Sequence, residues 1–263
     1  MDKQIGRPVV IAFWDSSRGI SMRGLAELQR WHDLYSARGL RVIAVHIAGE
    51  GPGGDPNAVD AAVRRLGLTI PVACDEEYLL SSSYGLTGVP SRYVFDQGLR
   101  LVDAHFGLGG GAEVDQLLDV LLAHSDANRP AGQEPEPETT VAEGDDSCDQ
   151  GASVDPAKQP RLRIHPPEFD SLPAPLGNDP GLIPPVPAEV LDGAFRGAYE
   201  AAAVWALASG EGTIEAGGRS ITVDAPGAYL VVDHARHTSG ELELATTGSV
   251  QLLEIQLEPG SAA

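Results

Sequence analysis

Residues 6–21 read GRPVVIAFWDSSRGIS, and the parsing of this stretch sets the fold around it. Pro8 to Trp14 is an unbroken apolar run of strand length, suited to a strand covered on both faces. Asp15, Ser16 and Ser17 then supply three candidate N-caps for a helix. Leu25, Leu28, His32 and Tyr35 recur downstream at helical spacing. A second apolar run, LRVIAVHI at 40–47, matches the first. Asp55-Pro56 provides a cap and a first-turn proline for another helix, with Val59, Ala62, Val63 and Leu66 facing inward. Ile70–Ala73 reads as a short strand and Glu76–Tyr84 as a short helix. Ser91–Asp96 and Leu99–Phe106 form a hairpin across Asp96-Gln97-Gly98, where glycine is expected to supply the positive φ of the turn. A last helix carries Val114, Leu117, Leu118 and Leu121 on one face. The order βαβα-β-α-ββα predicts an α/β domain with a mixed central sheet over residues 1–124.

From Ser125 to Pro160 the chain holds nine acidic and two basic residues and almost no large apolar side chain. Such a segment buries too little to offset its ordering entropy, so 125–160 reads as an acidic disordered linker. Residues 161–263 read as a β-rich domain with a Pro-rich lead-in to about 187. Glu211–Ala216, Arg219–Asp224, Ala228–His234, Glu241–Thr246 and Val250–Leu257 are short runs parted by glycine-containing turns, as in a small all-β sandwich or barrel. Ala188–Ser209 stays open: Leu191, Phe195, Ala198, Tyr199 and Ala202 keep helical spacing, yet Val204–Leu207 equally suits a strand.

Eighteen Lys and Arg stand against 38 Asp and Glu, for a net charge of −20. That balance argues against nucleic acid or an anionic membrane as partner, since neither is bound without a basic patch. No run of eighteen apolar residues offers a membrane span. The first residues lack the pattern of a secretory signal, so the expected location is cytoplasmic, or extracytoplasmic if the natural start lies upstream. Two cysteines, Cys74 and Cys148, make no disulfide framework.

The N-terminal domain resembles thioredoxin-like proteins of the TlpA type over about residues 6–123. The resemblance rests on GRPVVIAFWDSSRGIS, RVIAVHI, the stretch LGLTIPVACDEEYLLSSSYGLTGVPSRYVFDQG, and His105-Phe106-Gly107. It extends to large actinobacterial-style redox proteins with extra β modules. The family places C-x-x-C after Phe-Trp and three intervening residues, and here Arg18-Gly19-Ile20-Ser21 stands in that place. The motif works because a helix N-terminus lowers a thiol pKa and yields a thiolate near neutral pH. Serine and arginine supply neither thiolate nor disulfide, so the expected protein is a redox-inactive binding or adaptor module without catalytic residues, cofactor or metal. Peroxidase chemistry also needs a cysteine after the first strand, and none precedes position 74. By the same resemblance the Val89–Pro90 bond is expected to be cis. Trp14, Asp15, Ser16, Ser17, Arg18, Ser21, His46, Val89 and Pro90 then line a degenerate redox site for an extended peptide or a small anion.

Two alternatives come from other classes. A thiol-disulfide oxidoreductase would have to use a non-standard thiol, although Cys74 reads as a buried structural thiol and Cys148 as a poorly reactive one. A carbohydrate-binding protein would use Trp205 and Tyr229, residues that read first as core of the β domain. Gly107-Leu-Gly-Gly-Gly-Ala112 mimics a dinucleotide fingerprint, but no second parallel strand ending in an acidic residue follows. His234 and His237 would need a third metal ligand and strand spacing turns them to opposite faces, so even with Asp233 adjacent a solvated strand-end turn is the first reading, and His165 reads as linker.

Overall fold

The computed structural model describes residues 6–47, 51–128, 186–187 and 194–258. The expected acidic segment from 129 onward, most of the Pro-rich lead-in, Cys148 and His165 lie outside them. The chain divides into two compact units that do not follow chain order. One holds residues up to Trp14, Gly24–Ile47 and the chain from Leu68 to Leu172. The other joins Asp15–Arg23 and Ala48–Gly67 to the chain from Pro173 onward.

In the first unit β1 (Val9–Trp14), β2 (Arg41–Ile47) and β3 (Val72–Asp75) run parallel, while β4 (Ser91–Phe95) and β5 (Leu101–Phe106) add antiparallel, in the order β3-β2-β1-β4-β5. Every residue of β1 is buried, which explains its unbroken apolar run: a central strand has no solvent face. Phe13 sits between Tyr84 and Tyr93, with ring centroids 5.3 and 5.9 Å away in edge-on contacts. The hairpin forms where expected, but the positive φ falls on Leu99 at 61°. The Asp96 carboxylate holds the turn by accepting the N–H groups of Gly98 and Arg100, both at 2.9 Å, so glycine is not the residue under strain.

Two helices pack by polar staples as well as by their apolar faces. α1 (Gly19–Tyr35) reaches α4 (Gly111–Asn128) through Trp31 Nε1, which donates to Asp115 at 2.7 Å, and through Arg30, which pairs with the same carboxylate at 2.9 Å. Val114 and Leu118 are buried, and α4 continues four residues past the expected end at 124. α3 (Leu79–Ser83) is shorter than its expected span because the Asp75 carboxylate, itself buried, accepts the N–H groups of Leu80 and Ser81 and fixes the helix start.

In the second unit α2 (Pro56–Leu66) begins as the sequence requires. Asp55 accepts the Asn57 N–H at 2.8 Å and Pro56 opens the first turn. Asp55→Ala is expected to destabilise the protein by about 1 kcal/mol, read as a shift in the denaturation midpoint. No shift would show the cap to be idle. Val59 and Ala62 are buried, whereas Leu66 is 38% exposed, because the helix ends one residue later at the left-handed Gly67.

Six antiparallel strands complete this unit: β6 (Val186–Pro187), β7 (Ala194–Ser209), β8 (Gly212–Ala216), β9 (Arg219–Val223), β10 (Gly227–Thr246) and β11 (Gln251–Glu258), in the order β6-β11-β7-β10-β8-β9. They make a curled half-barrel with β6 and β9 as edges among the described residues. The open segment resolves as strand from Ala194. Its alanines favour helix in isolation, but Ala203–Ala208 lie between two hydrogen-bonded neighbours and Ala201–Ala208 are buried throughout, so tertiary pairing overrides propensity. The two strands expected at 228–234 and 241–246 are one, with a register shift between Asp233 and Thr238. Gly240 is not a turn residue there. A side chain on it would meet the Tyr199 hydroxyl at 2.6 Å, so the glycine makes room for that ring.

Candidate functional site

The expected site residues fall in both units. In the first, Trp14 and His46 are register partners on β1 and β2, and both are buried, with rings 4.8 Å apart edge to face. The Val89–Pro90 bond is cis. The Pro90 carbonyl accepts the Gly107 N–H at 2.8 Å, and the Pro90 ring lies 3.7 Å from the position a Cβ would take on Gly24 of α1. Cys74 lies in β3 opposite His46, half-buried and disulfide-bonded rather than a free thiol.

In the second unit Asp15, Ser16, Ser17 and Ser21 are buried. Asp15 does not cap α1 through its side chain among the bonds described. The Asp15 carboxylate turns back on its own loop instead, taking the Ser17 N–H at 2.8 Å and the Ser17 hydroxyl at 2.7 Å. Gly53 crosses close by, where a Cβ would stand 2.6 Å from the Asp15 oxygen. The Arg18 side chain is 51% exposed, with Nε 4.0 Å from Asp15, a spacing at which solvent screens most of the attraction. Ser21 Oγ is buried and has no hydrogen-bond partner among the described residues.

The helix tip is met by groups that no local pattern connects with it. Gly19 N–H, one of the donors left over at a helix N-terminus, is accepted by Gln256 Oε1 at 2.7 Å. Gln256 Nε2 donates to the Ser17 carbonyl at 2.8 Å. Arg23 pairs with Glu258 at 2.6 Å and Asp233 at 2.9 Å. Burial works against the Arg23 charge, yet the bonds to Glu258 and Asp233 leave its pKa above the ordinary value. Trp205 and Tyr229 are 6% and 1% exposed, as core residues are, and neither presents an open ring face. Arg65 covers Tyr229 at 4.3 Å. His234 Nε2 meets the Tyr199 hydroxyl at 2.7 Å, and no group of His, Cys, Asp and Glu suited to a metal ion occurs among the described residues.

A parallel β1–β3 core flanked by an antiparallel β4–β5 hairpin gives the N-terminal domain a thioredoxin-like α/β fold. Residues 1–103 match the AhpC/TSA family. The chain is 29% identical over 136 residues to Protein DipZ of Mycobacterium tuberculosis, covering 52% of this chain and 19% of that protein. It is 28% identical over 104 residues to the thiol-disulfide oxidoreductase YkuV of Bacillus subtilis, covering 40% of this chain and 68% of YkuV. The chain thus spans about a fifth of DipZ. A solved thiol-disulfide isomerase from Corynebacterium glutamicum is similar at 23% identity and a TM-score of 0.43, over 47% of this chain and 86% of that one. No helix among the described residues is long and apolar enough to cross a membrane.

Proposed function

We propose that this is a redox-inactive thioredoxin-like protein that acts as a binding or adaptor module. One observation carries the reading: the turn that opens α1 is built from Arg18, Gly19, Ile20 and Ser21, and no sulfur atom lies in residues 15–21. A helix N-terminus activates a thiolate only if a thiol is there. Here its first free donor is instead spent on the Gln256 amide. A segment of this kind makes polypeptide contacts and exchanges no electrons.

The test is insulin reduction with dithiothreitol as electron source, using the full chain. Precipitation of the insulin B chain should proceed at the rate of dithiothreitol alone. A second reading, an oxidoreductase that works through a non-standard thiol, is favoured by the disulfide at Cys74 on an edge strand. Acceleration by the native chain that disappears in Cys74→Ser would replace the adaptor reading with that one.

A further inference from the structure

The tip of α1 has an occupant inside its own unit. Three backbone groups of the segment Ser16–Gly19 are satisfied from the half-barrel. The Ser16 carbonyl accepts the Ala228 N–H at 2.9 Å, the Ser17 carbonyl accepts Gln256 Nε2 at 2.8 Å, and the Gly19 N–H donates to Gln256 Oε1 at 2.7 Å. The Gln256 carboxamide thus presents one donor and one acceptor to the loop, the pair that a peptide group of an added strand would present. Trp205 fills the space above Gly19, where a Cβ would fall within 2.5 Å of three atoms of the indole ring. Around this contact Glu258 accepts from Trp205 Nε1 at 3.0 Å and from Arg23 Nε at 2.7 Å, while the Arg23 guanidinium lies 5.7 Å from the indole centroid. Strands β7, β10 and β11 each contribute, so the seat reads the assembled sheet and no single strand.

We infer that residues 15–23 form an internal docking seat for the half-barrel, with Gly19 as the residue that admits Trp205 and Gln256 as a surrogate peptide amide. The side chains standing at 18–21 therefore suit a fixed polypeptide contact: glycine where bulk is excluded and a small buried serine where the helix enters the contact. An extended polypeptide from outside meets a backbone edge already taken by this chain. The inference names the occupant of the site under the adaptor reading, yet it is separable from it, because insulin turnover would remove that reading and leave the seat untouched.

Hydrogen exchange of the full chain followed by NMR tests the seat. In the native protein the amides of Gly19 and Ala228 should exchange slowly. In Gln256→Ala both should exchange about tenfold faster or more, although Ala228 lies on a different strand from the substitution. Gly19→Ala should accelerate Ala228 and Arg23 Nε exchange to a similar degree. Amides in the middle of the sheet, such as Ala206 and Leu244, report whether the half-barrel itself stays folded. Faster exchange at the seat with unchanged protection at 206 and 244 supports the inference. Unchanged exchange at Ala228 in both variants overturns it, and so does an equal loss of protection at all four amides, which would make Gln256 and Gly19 ordinary structural residues of one cooperative unit.

Discussion

Phe13→Ala is expected to destabilise the N-terminal domain by about 3–5 kcal/mol, the range for emptying a well-packed aromatic site. Phe13 is fully buried on the central strand, and its neighbours in the core are Val9, Ile11, Val45, Tyr84, Tyr93 and Phe95. A strand cannot collapse into the space of a lost ring, because β1 is hydrogen-bonded to β2 on one side and β4 on the other. The edge-on contacts with Tyr84 and Tyr93 add to the area lost. Denaturant unfolding followed by circular dichroism reads the change, with Val102→Ala on the edge strand, at 42% exposure, as the control that should move the midpoint little. A Phe13→Ala loss no larger than that of Val102→Ala would mean that the β1 core is not packed as described.

Alkaline unfolding should be steep. Burial pushes the Tyr84 and Tyr93 hydroxyls up to about 12, against an ordinary value of 10.0. A folded-state pKa raised above the unfolded one gives stability that is whole below pH 10 and lost as pH rises toward 12, since the unfolded chain ionises first. Two pKa units correspond to about 2–3 kcal/mol per tyrosine, and Tyr93, its ring 5.2 Å away, further disfavours ionisation of Tyr84. Absorbance at 295 nm should show the Tyr84 and Tyr93 phenolates forming only with loss of the circular dichroism signal. Tyr84→Phe should reduce the alkaline sensitivity with little loss at neutral pH, because the Tyr84 hydroxyl has no hydrogen-bond partner among the described residues. Ionisation of Tyr84 and Tyr93 below pH 11, with the fold intact, would contradict the burial on which the prediction rests.

Sequence and structure agree most closely where local chemistry suffices. The PVVIAFW run suits a strand covered on both faces, Asp55-Pro56 suits a helix start, and the alternation of these elements suits an α/β domain with a mixed sheet, as found. Disagreement arises where a residue's role is set from a distance. Asp15 resembles a cap by type, but its carboxylate is held by Ser17 in its own loop. The alanines of β7 favour helix, yet two flanking strands claim their backbone groups. Gly240 resembles a turn residue until the Tyr199 hydroxyl is seen crossing it.

Local chemistry was enough to specify the strand and helix order of the N-terminal domain, the Asp55 cap of α2 and the lack of a dithiol at 18–21, because periodicity, capping and composition act over a few residues. Tertiary structure alone decided what meets the tip of α1. Gln256 and Glu258 lie more than two hundred residues from it, and no short-range pattern encodes which amide of a later strand will satisfy a helix N–H left without a partner in its own helix.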